Sequence, residues 1–216
     1  MTETLPFAPA LDAAFRPGEP LVEQDDPFAL FARWMALAEA SEPEDANAMA
    51  LATVDAEGLP NVRMVLLKSA GPEGFVFFTN TGSQKGRELA AGMRCAAVLH
   101  WKSLRRQVRF RGPAAFVDEA EADAYFASRS RESRIGAWAS RQSRPIPDRA
   151  ALAQAVAETA ARFGDGPIPR PPHWAGYRVA PTTIEFWINK PFRLHDRVVF
   201  RRADAATPWT HERLSP

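Results

Sequence analysis

The chain is poor in several things that would point directly to a function. It holds one cysteine, Cys95, among 216 residues, so no internal disulfide can form. No apolar run approaches the length of a membrane span, and none follows a basic segment as in a signal peptide. Neither sign of charge is in excess. A formal net charge of +1 gives no global field to recruit nucleic acid or an anionic membrane. The four histidines, His100, His173, His195 and His211, are scattered, which argues against a metal site. Walker spacing, a dinucleotide GxGxxG and a serine in a nucleophile elbow are all missing. These absences imply a cytoplasmic protein that binds neither nucleic acid nor membrane. Any hard chemistry it performs falls to a bound cofactor. Cys95 lies in the apolar run CAAVLHW and reads as a small core residue.

An apolar fraction of 46% is enough for a sizeable core. Residues 1–26, rich in Pro, Glu and Asp without period, read as a flexible or surface-laid arm, and 27–216 as one domain. From Pro27 to Ala40, Phe28, Leu30, Phe31, Trp34, Met35 and Leu37 recur at helical spacing behind a cap at Asp26. Strands are expected over Met49–Val54, Asn61–Lys68, Phe75–Thr79, Cys95–Trp101 and Gln107–Val117. Further strands are expected over Gly176–Val179, Thr183–Ile188 and Phe192–Phe200. Helices are expected over Gln84–Ala91, after a cap at Asp118, and over Asp148–Phe163. Short turns make the strands antiparallel, so the fold class is mainly β with flanking helices, an antiparallel closed or nearly closed barrel. The strand at Asn61–Lys68 is apolar on both faces and is expected to be central.

Four groupings could carry chemistry. Arg63 and Lys68 would stand about 16 Å apart on one strand, which suits two separate anions or two solvated strand ends. The turn TNTGSQKGR, with Thr79, Ser83, Gln84 and Lys85, opens a helix whose free N–H groups could hold a phosphate, or it is an ordinary cap. Tyr125, Arg129 and Ser133, spaced by four, would stack on one helix face as phosphate donors. Arg193, His195 and Arg197 would share one strand face, needing something anionic or aromatic against it unless it lies in solvent. Gln107, Gln142 and Trp187 would suit a flat heteroaromatic ring.

With these residues in place, RMVLLK, FFTNTGSQKGREL, WKSLRRQV, YFASRSRESRIGAWASRQS, IEFW and RLHDR resemble the pyridoxine/pyridoxamine 5'-phosphate oxidases, from about Pro27 to Pro216. The resemblance implies a homodimeric FMN-binding split β-barrel with FMN at the subunit interface. Such an enzyme oxidises pyridoxamine or pyridoxine 5'-phosphate to pyridoxal 5'-phosphate with O2 as acceptor. Carried over by position, Arg63, Ser83 and Lys85 would hold the FMN phosphate region. Lys68, Phe78, Thr79, Gln84, Gln107, Gln142, Ser143, Trp187 and Arg197 would surround the rest of the cofactor. Lys68, Tyr125, Arg129 and Ser133 would take the substrate phosphate, with Arg193 and His195 as the catalytic pair at its ring. Phe78 stands where many relatives carry tyrosine, Gln84 where many carry arginine, and the arm lacks their Arg-Arg-x-Tyr segment. The alternatives are a phenazine-biosynthesis-type flavin oxidase, which needs no phosphate clamp, a non-catalytic carrier of pyridoxal phosphate, and a single-strand nucleic-acid binder, which the near-zero charge opposes.

Overall fold

The computed structural model describes residues 26–216; the expected arm therefore lies almost wholly outside the described residues. Helix α1 (Pro27–Ser41) starts where Asp26 accepts a hydrogen bond from the Phe28 N–H at 2.9 Å, with Pro27 in the first turn. Its Phe28, Leu30, Phe31 and Trp34 are buried, Phe28 and Phe31 packing on Phe75 and Trp34 edge-on to Phe186.

Ten strands follow, with helices between them: β1 (Ala48–Val54), β2 (Pro60–Leu66), β3 (Ser69–Gly71), β4 (Gly74–Asn80), α2 (Gln84–Gly92), β5 (Arg94–Trp101) and β6 (Arg106–Phe116). Then come α3 (Glu119–Ser128), α4 (Arg131–Ala139), α5 (Arg149–Phe163), β7 (Trp174–Val179), β8 (Thr183–Ile188), β9 (Asp196–Arg201) and β10 (Thr210–Arg213). All pairings are antiparallel, in the order β10-β9-β8-β6-β5-β1-β2, while β7 joins β6 to β4 and β4 carries β3. The sheet curls because β6 serves two neighbours on one side. Its first half pairs with β8 and its last three residues with β7. At the changeover sits Gly112, where a Cβ would lie 2.2 Å from the Ala180 carbonyl oxygen. Only glycine allows that approach. The curled inner face and α1 enclose the core, including Met49, Leu51, Phe77, Leu99, Trp101, Val108, Tyr177, Phe186 and Phe200.

Three expectations about this framework need correction. The strand expected at Asn61–Lys68 stops at Leu66 and ends the order of strands, so it is an edge and not central. Its Val62, Met64 and Leu66 face outward, Val62 64% exposed. Apolar character on both faces signalled a face to be covered, and within one chain nothing described covers it. The strand expected from Phe192 begins only at Asp196: Phe192 and Arg193 have φ of +56° and +63° in a short 3-10 turn, which no strand accommodates. The helix expected to carry Tyr125, Arg129 and Ser133 together ends at Ser128. Arg129 is its extended C-cap, and Ser130 caps a new helix, α4, for which no clean period was evident.

Candidate functional site

A cavity of about 720 Å³ opens between β2, β4, α3 and α4. Eight of the residues singled out from the sequence line it: Lys68, Phe78, Thr79, Lys85, Tyr125, Arg129, Ser133 and Gln142. The break between α3 and α4 brings Tyr125, Arg129 and Ser133 to one wall although no single helix carries them. Ser130 Oγ accepts from the Ser133 N–H, a cap that orients the first turn of α4 toward the cavity. Phe78, Tyr125 and Trp174 form a triangle of rings, the Phe78 centroid 4.1 Å from Tyr125 and 5.1 Å from Trp174, and those two 6.0 Å apart. The Arg129 guanidinium rests 5.2 Å from the Trp174 ring and 5.7 Å from Phe126. Its Nη1 is buried without a hydrogen-bond partner in the structure. A buried guanidinium N–H left unpaired at a cavity wall is costly unless an acceptor arrives, and this one suits an oxyanion. Burial lowers the Arg129 pKa, with Tyr125 opposing, and the group stays cationic.

The second cationic centre is the start of α2. Ser83 is fully buried as its cap, Oγ accepting from the Gly86 N–H and donating to the Asn80 carbonyl. Gly86 lets this end press against the preceding turn, since a Cβ there would meet the Thr81 oxygen at 2.3 Å. Lys85 Nζ donates to Gln142 Oε1 at 2.9 Å, uniting two residues far apart in sequence. Burial and the nearby Arg63 depress the Lys85 pKa, against the pull of Glu88. Behind it, the Arg63 Nη1 donates to the Leu51 carbonyl and to Thr53 Oγ1, and its Nη2 to Glu88 Oε2 at 2.9 Å. Glu88 also accepts from the Thr53 hydroxyl and from Asn61 Nδ2. Burial acts to raise the Glu88 pKa, but hydrogen bonds from Thr53 and Asn61 and the Arg63 charge outweigh it and hold the carboxyl low. Gln84, the first residue of α2, and Ser143, at φ +65° beyond α4, are exposed and do not line this cavity.

The remaining residues gather elsewhere on the sheet. Gln107 faces Trp187 across β6 and β8, and Trp187 faces Arg197 across β8 and β9. The His195 ring lies 4.6 Å from Trp187 and its Nδ1 accepts the Lys190 backbone N–H at 3.2 Å. Arg197 donates to buried Glu185 and to the Ser215 carbonyl, each at 2.9 Å. Burial favours a protonated Glu185, but Arg197 and Arg109 outweigh it and hold the carboxyl low. Arg193 is exposed in its turn, so the shared strand face expected for Arg193, His195 and Arg197 does not exist; what clusters is His195, Trp187, Gln107 and Arg197. None of Gln107, Trp187, His195 and Arg197 lines the 720 Å³ cavity, so the residues singled out from the sequence form two groups within one chain. Across the sheet between them lies a more apolar hollow of about 380 Å³, with Ala50, Val62, Ala97 and Val199 in its lining.

Sequence reasoning missed Glu88, Thr53 and Asn61, and it missed Trp174. Glu88 one turn after Lys85 looks like a solvent-facing helix pair; only the register of β1 with β2, which sets Leu51 opposite Arg63, turns these groups inward together.

Comparison with known proteins gives a consistent picture. Residues 37–163 match the family model described as pyridoxamine 5'-phosphate oxidase, and 174–216 the one described as pyridoxine 5'-phosphate oxidase C-terminal dimerisation region. The chain is 62% identical over 205 residues to pyridoxine/pyridoxamine 5'-phosphate oxidase 2 of Ralstonia nicotianae, covering 95% of this chain and 96% of that one. It is 61% identical over 197 residues to the oxidase of Caulobacter vibrioides, covering 91% and 88%. Among solved structures, PhzG from Burkholderia lata, in complex with tetrahydrophenazine-1-carboxylic acid, superposes with a TM-score of 0.85 at 31% identity, covering 94% of this chain and all of that one. A pyridoxamine 5'-phosphate oxidase-related, FMN-binding protein from Nostoc punctiforme, at 17% identity and TM-score 0.71 over 88% and 98%, shares the fold.

Proposed function

Because the chain belongs to the pyridoxamine 5'-phosphate oxidase family, we propose that it converts pyridoxamine or pyridoxine 5'-phosphate to pyridoxal 5'-phosphate, using FMN and O2. The observation that carries this reading is the pair of separate cationic centres on one cavity. Lys68, Tyr125, Arg129 and Ser133 form one, with the unpaired Arg129 Nη1 at its wall; Lys85 in the first turn of α2, with Arg63 of β2 behind it, forms the other. One substrate phosphate and one cofactor phosphate account for both. The donor set fits FMN, because a helix N-terminus with two cations suits a dianion and Gln142 beside Lys85 adds an amide for the cofactor's polar edge.

When bound, FMN supplies the two-electron acceptor that takes a hydride from the substrate C4' carbon and returns the electrons to O2 as H2O2. The protein's part is positional. Arg129, Lys68, Tyr125 and Ser133 grip the ester phosphate and so fix the distance from that anchor to the reacting carbon. Thr79 and Phe78 wall the same cavity. Arg193 and His195 are assigned to the substrate ring, and Gln107, Trp187, Arg197, Gln84 and Ser143 to the cofactor.

A homodimer reconciles the two groups of residues. The 174–216 segment matches a dimerisation region, and the open face of β2 and the apolar hollow offer a surface to bury. On this reading FMN lies between copies, one contributing the cavity and α2, the other Gln107, Trp187, Arg193, His195 and Arg197. Residues 27–216 act as one unit, since β7 to β10 complete a sheet begun by β1 to β6. The single, buried Cys95 suits a cytoplasmic location, and no helix among the described residues is long and apolar enough to cross a membrane. The likeness to PhzG concerns a tricyclic carboxylate ligand, for which a second phosphate clamp has no use. The decisive experiment is the flavin absorbance of the purified protein before and after anaerobic pyridoxamine 5'-phosphate, followed by peroxide on admitting oxygen. Bleaching and peroxide are expected; a colourless protein, or a yellow one that does not bleach, refutes the proposal.

A further inference from the structure

The buried Glu88 cluster is larger than a cap or a packing contact requires. A carboxylate with 7% of its surface exposed accepts from Thr53, Asn61 and Arg63, and all three partners come from β1 and β2, not from its own helix. Arg63 has five N–H groups. Both Nη1 hydrogens are committed, one to the Leu51 carbonyl at 3.1 Å and one to Thr53 Oγ1 at 2.5 Å. One Nη2 hydrogen goes to Glu88 Oε2, and that oxygen also receives the Thr53 hydroxyl. Glu88 and Thr53 therefore occupy together the end of the guanidinium that lies between its two Nη atoms. What is left is the N–H of Nε and the second hydrogen of Nη2. In a planar guanidinium these two point in parallel, forming the side fork that binds a carboxylate or phosphate with two bonds.

We propose that Glu88, with Thr53, is a positioning residue that clamps one end of Arg63 and so presents its side fork to the FMN phosphate beside Lys85. The inference rests on the FMN reading above. It identifies a residue that touches neither cofactor nor substrate and acts through Arg63. The register supports this. Leu51 faces Arg63 across β1 and β2, so β1 supplies both the carbonyl of Leu51 and the hydroxyl of Thr53 and α2 the carboxylate, and the cation is held from two elements besides its own strand. An arginine so fixed loses little rotamer freedom when an anion arrives, which is the advantage of holding it in advance. The negative charge of Glu88 also offsets Arg63 in the absence of a ligand, next to a Lys85 already depressed by the same arginine.

The test compares two ligands that differ only in the phosphate. FMN and riboflavin are titrated by flavin fluorescence into the apo form of the full chain, for the wild type and for Glu88→Ala, Glu88→Gln and Thr53→Val, with each apo protein's thermal midpoint measured alongside. Glu88→Ala should weaken FMN about tenfold or more and leave riboflavin within about twofold. Glu88→Gln, which keeps an acceptor in place, should recover most of the loss. Thr53→Val leaves the carboxylate and removes only the hydroxyl bridge, and it should show the same selective loss in smaller measure. Because Glu88→Ala strands a buried cation, it is the variant that can fail to fold, and the other two then decide the question. Equal loss of FMN and riboflavin would overturn the proposal in favour of a general structural role. FMN binding unchanged or tightened would mean that Glu88 competes with the phosphate for Arg63. A Gln variant as weak as Ala would mean that bare charge, not position, is what matters. A wild type that prefers riboflavin, or binds neither flavin, would refute the FMN reading itself.

Discussion

Arg129→Ala tests the substrate clamp with a magnitude that follows from the site. The guanidinium is half-buried, braced at 5.2 Å from Trp174 and 5.7 Å from Phe126, and its Nη1 is buried without a partner. The desolvation cost of Nη1 is therefore present before substrate binds, and the arriving phosphate gains a charge-assisted contact there, about 2 to 3 kcal/mol. That contact is the same in ground and transition states, since the phosphate lies away from the reacting carbon, so its loss raises KM and leaves kcat nearly unchanged. The expected rise is about 30- to 150-fold. Arg129→Lys keeps the charge but not the plane that stacks on Trp174, and should recover only part. The assay is steady-state peroxide formation at saturating FMN, with pyridoxamine 5'-phosphate and with unphosphorylated pyridoxamine. Preference for the phosphate ester should shrink by the same factor. An unchanged KM for the ester together with falling flavin occupancy would refute the reasoning, because Arg129 would then belong to the cofactor.

Three further outcomes are expected. Lys85→Ala should weaken FMN by about 1.5 to 3 kcal/mol, and because the Lys85 pKa lies below the ordinary lysine value, wild-type FMN affinity should fall with rising pH earlier than a solvated lysine would dictate; a Lys85→Arg protein with the same alkaline fall would count against it. Glu88 titrates lower folded than unfolded, so its stabilisation is complete above the ordinary carboxylate range and is lost as pH falls through the depressed value. Glu88→Gln should thus show a shallower acid decline in thermal midpoint than wild type, and parallel declines would contradict the assignment. Val62→Glu, at a site 64% exposed on the open face of β2 and lining the apolar hollow, should leave the isolated chain folded but shift it to a flavin-free monomer; a flavin-loaded monomer by native mass measurement would defeat the dimer reading.

How much of this was visible in the sequence depended on whether local signals or pairing decided the outcome. The caps at Asp26, Ser83 and Asp118 and eight of the ten strands could be read directly, because a side-chain acceptor or an apolar period acts within a few residues, whereas β3 and β10, three and four residues long, were not expected. Tyr125, Arg129 and Ser133 were grouped correctly for a wrong reason: a break at Arg129, not a continuous helix, turns all three to one wall. The grouping of Arg193 with Arg197 failed because alternation was assumed across two residues of positive φ. The edge position of β2 was out of reach, since the sequence shows that a face is apolar but not whether the same chain covers it. Glu88 was missed because inward orientation of a charged helix residue is set by the strands it meets.

The route taken by β6 sets the order in which this protein can be made. A nascent chain that has emerged through α5 has β6 and β4 in hand, but the neighbours of Arg106–Arg111 and Ala114–Phe116 on one side, and of Phe75–Asn80, are still unsynthesised. Those backbone donors and acceptors have to wait on strands from the last quarter of the sequence, exposed as ready templates for another chain. Pairings between segments so distant in sequence are also the slow ones to form. The last strands to leave the ribosome are therefore the ones that close the sheet, and a chain cut short before Trp174 is an aggregation hazard rather than a partial enzyme.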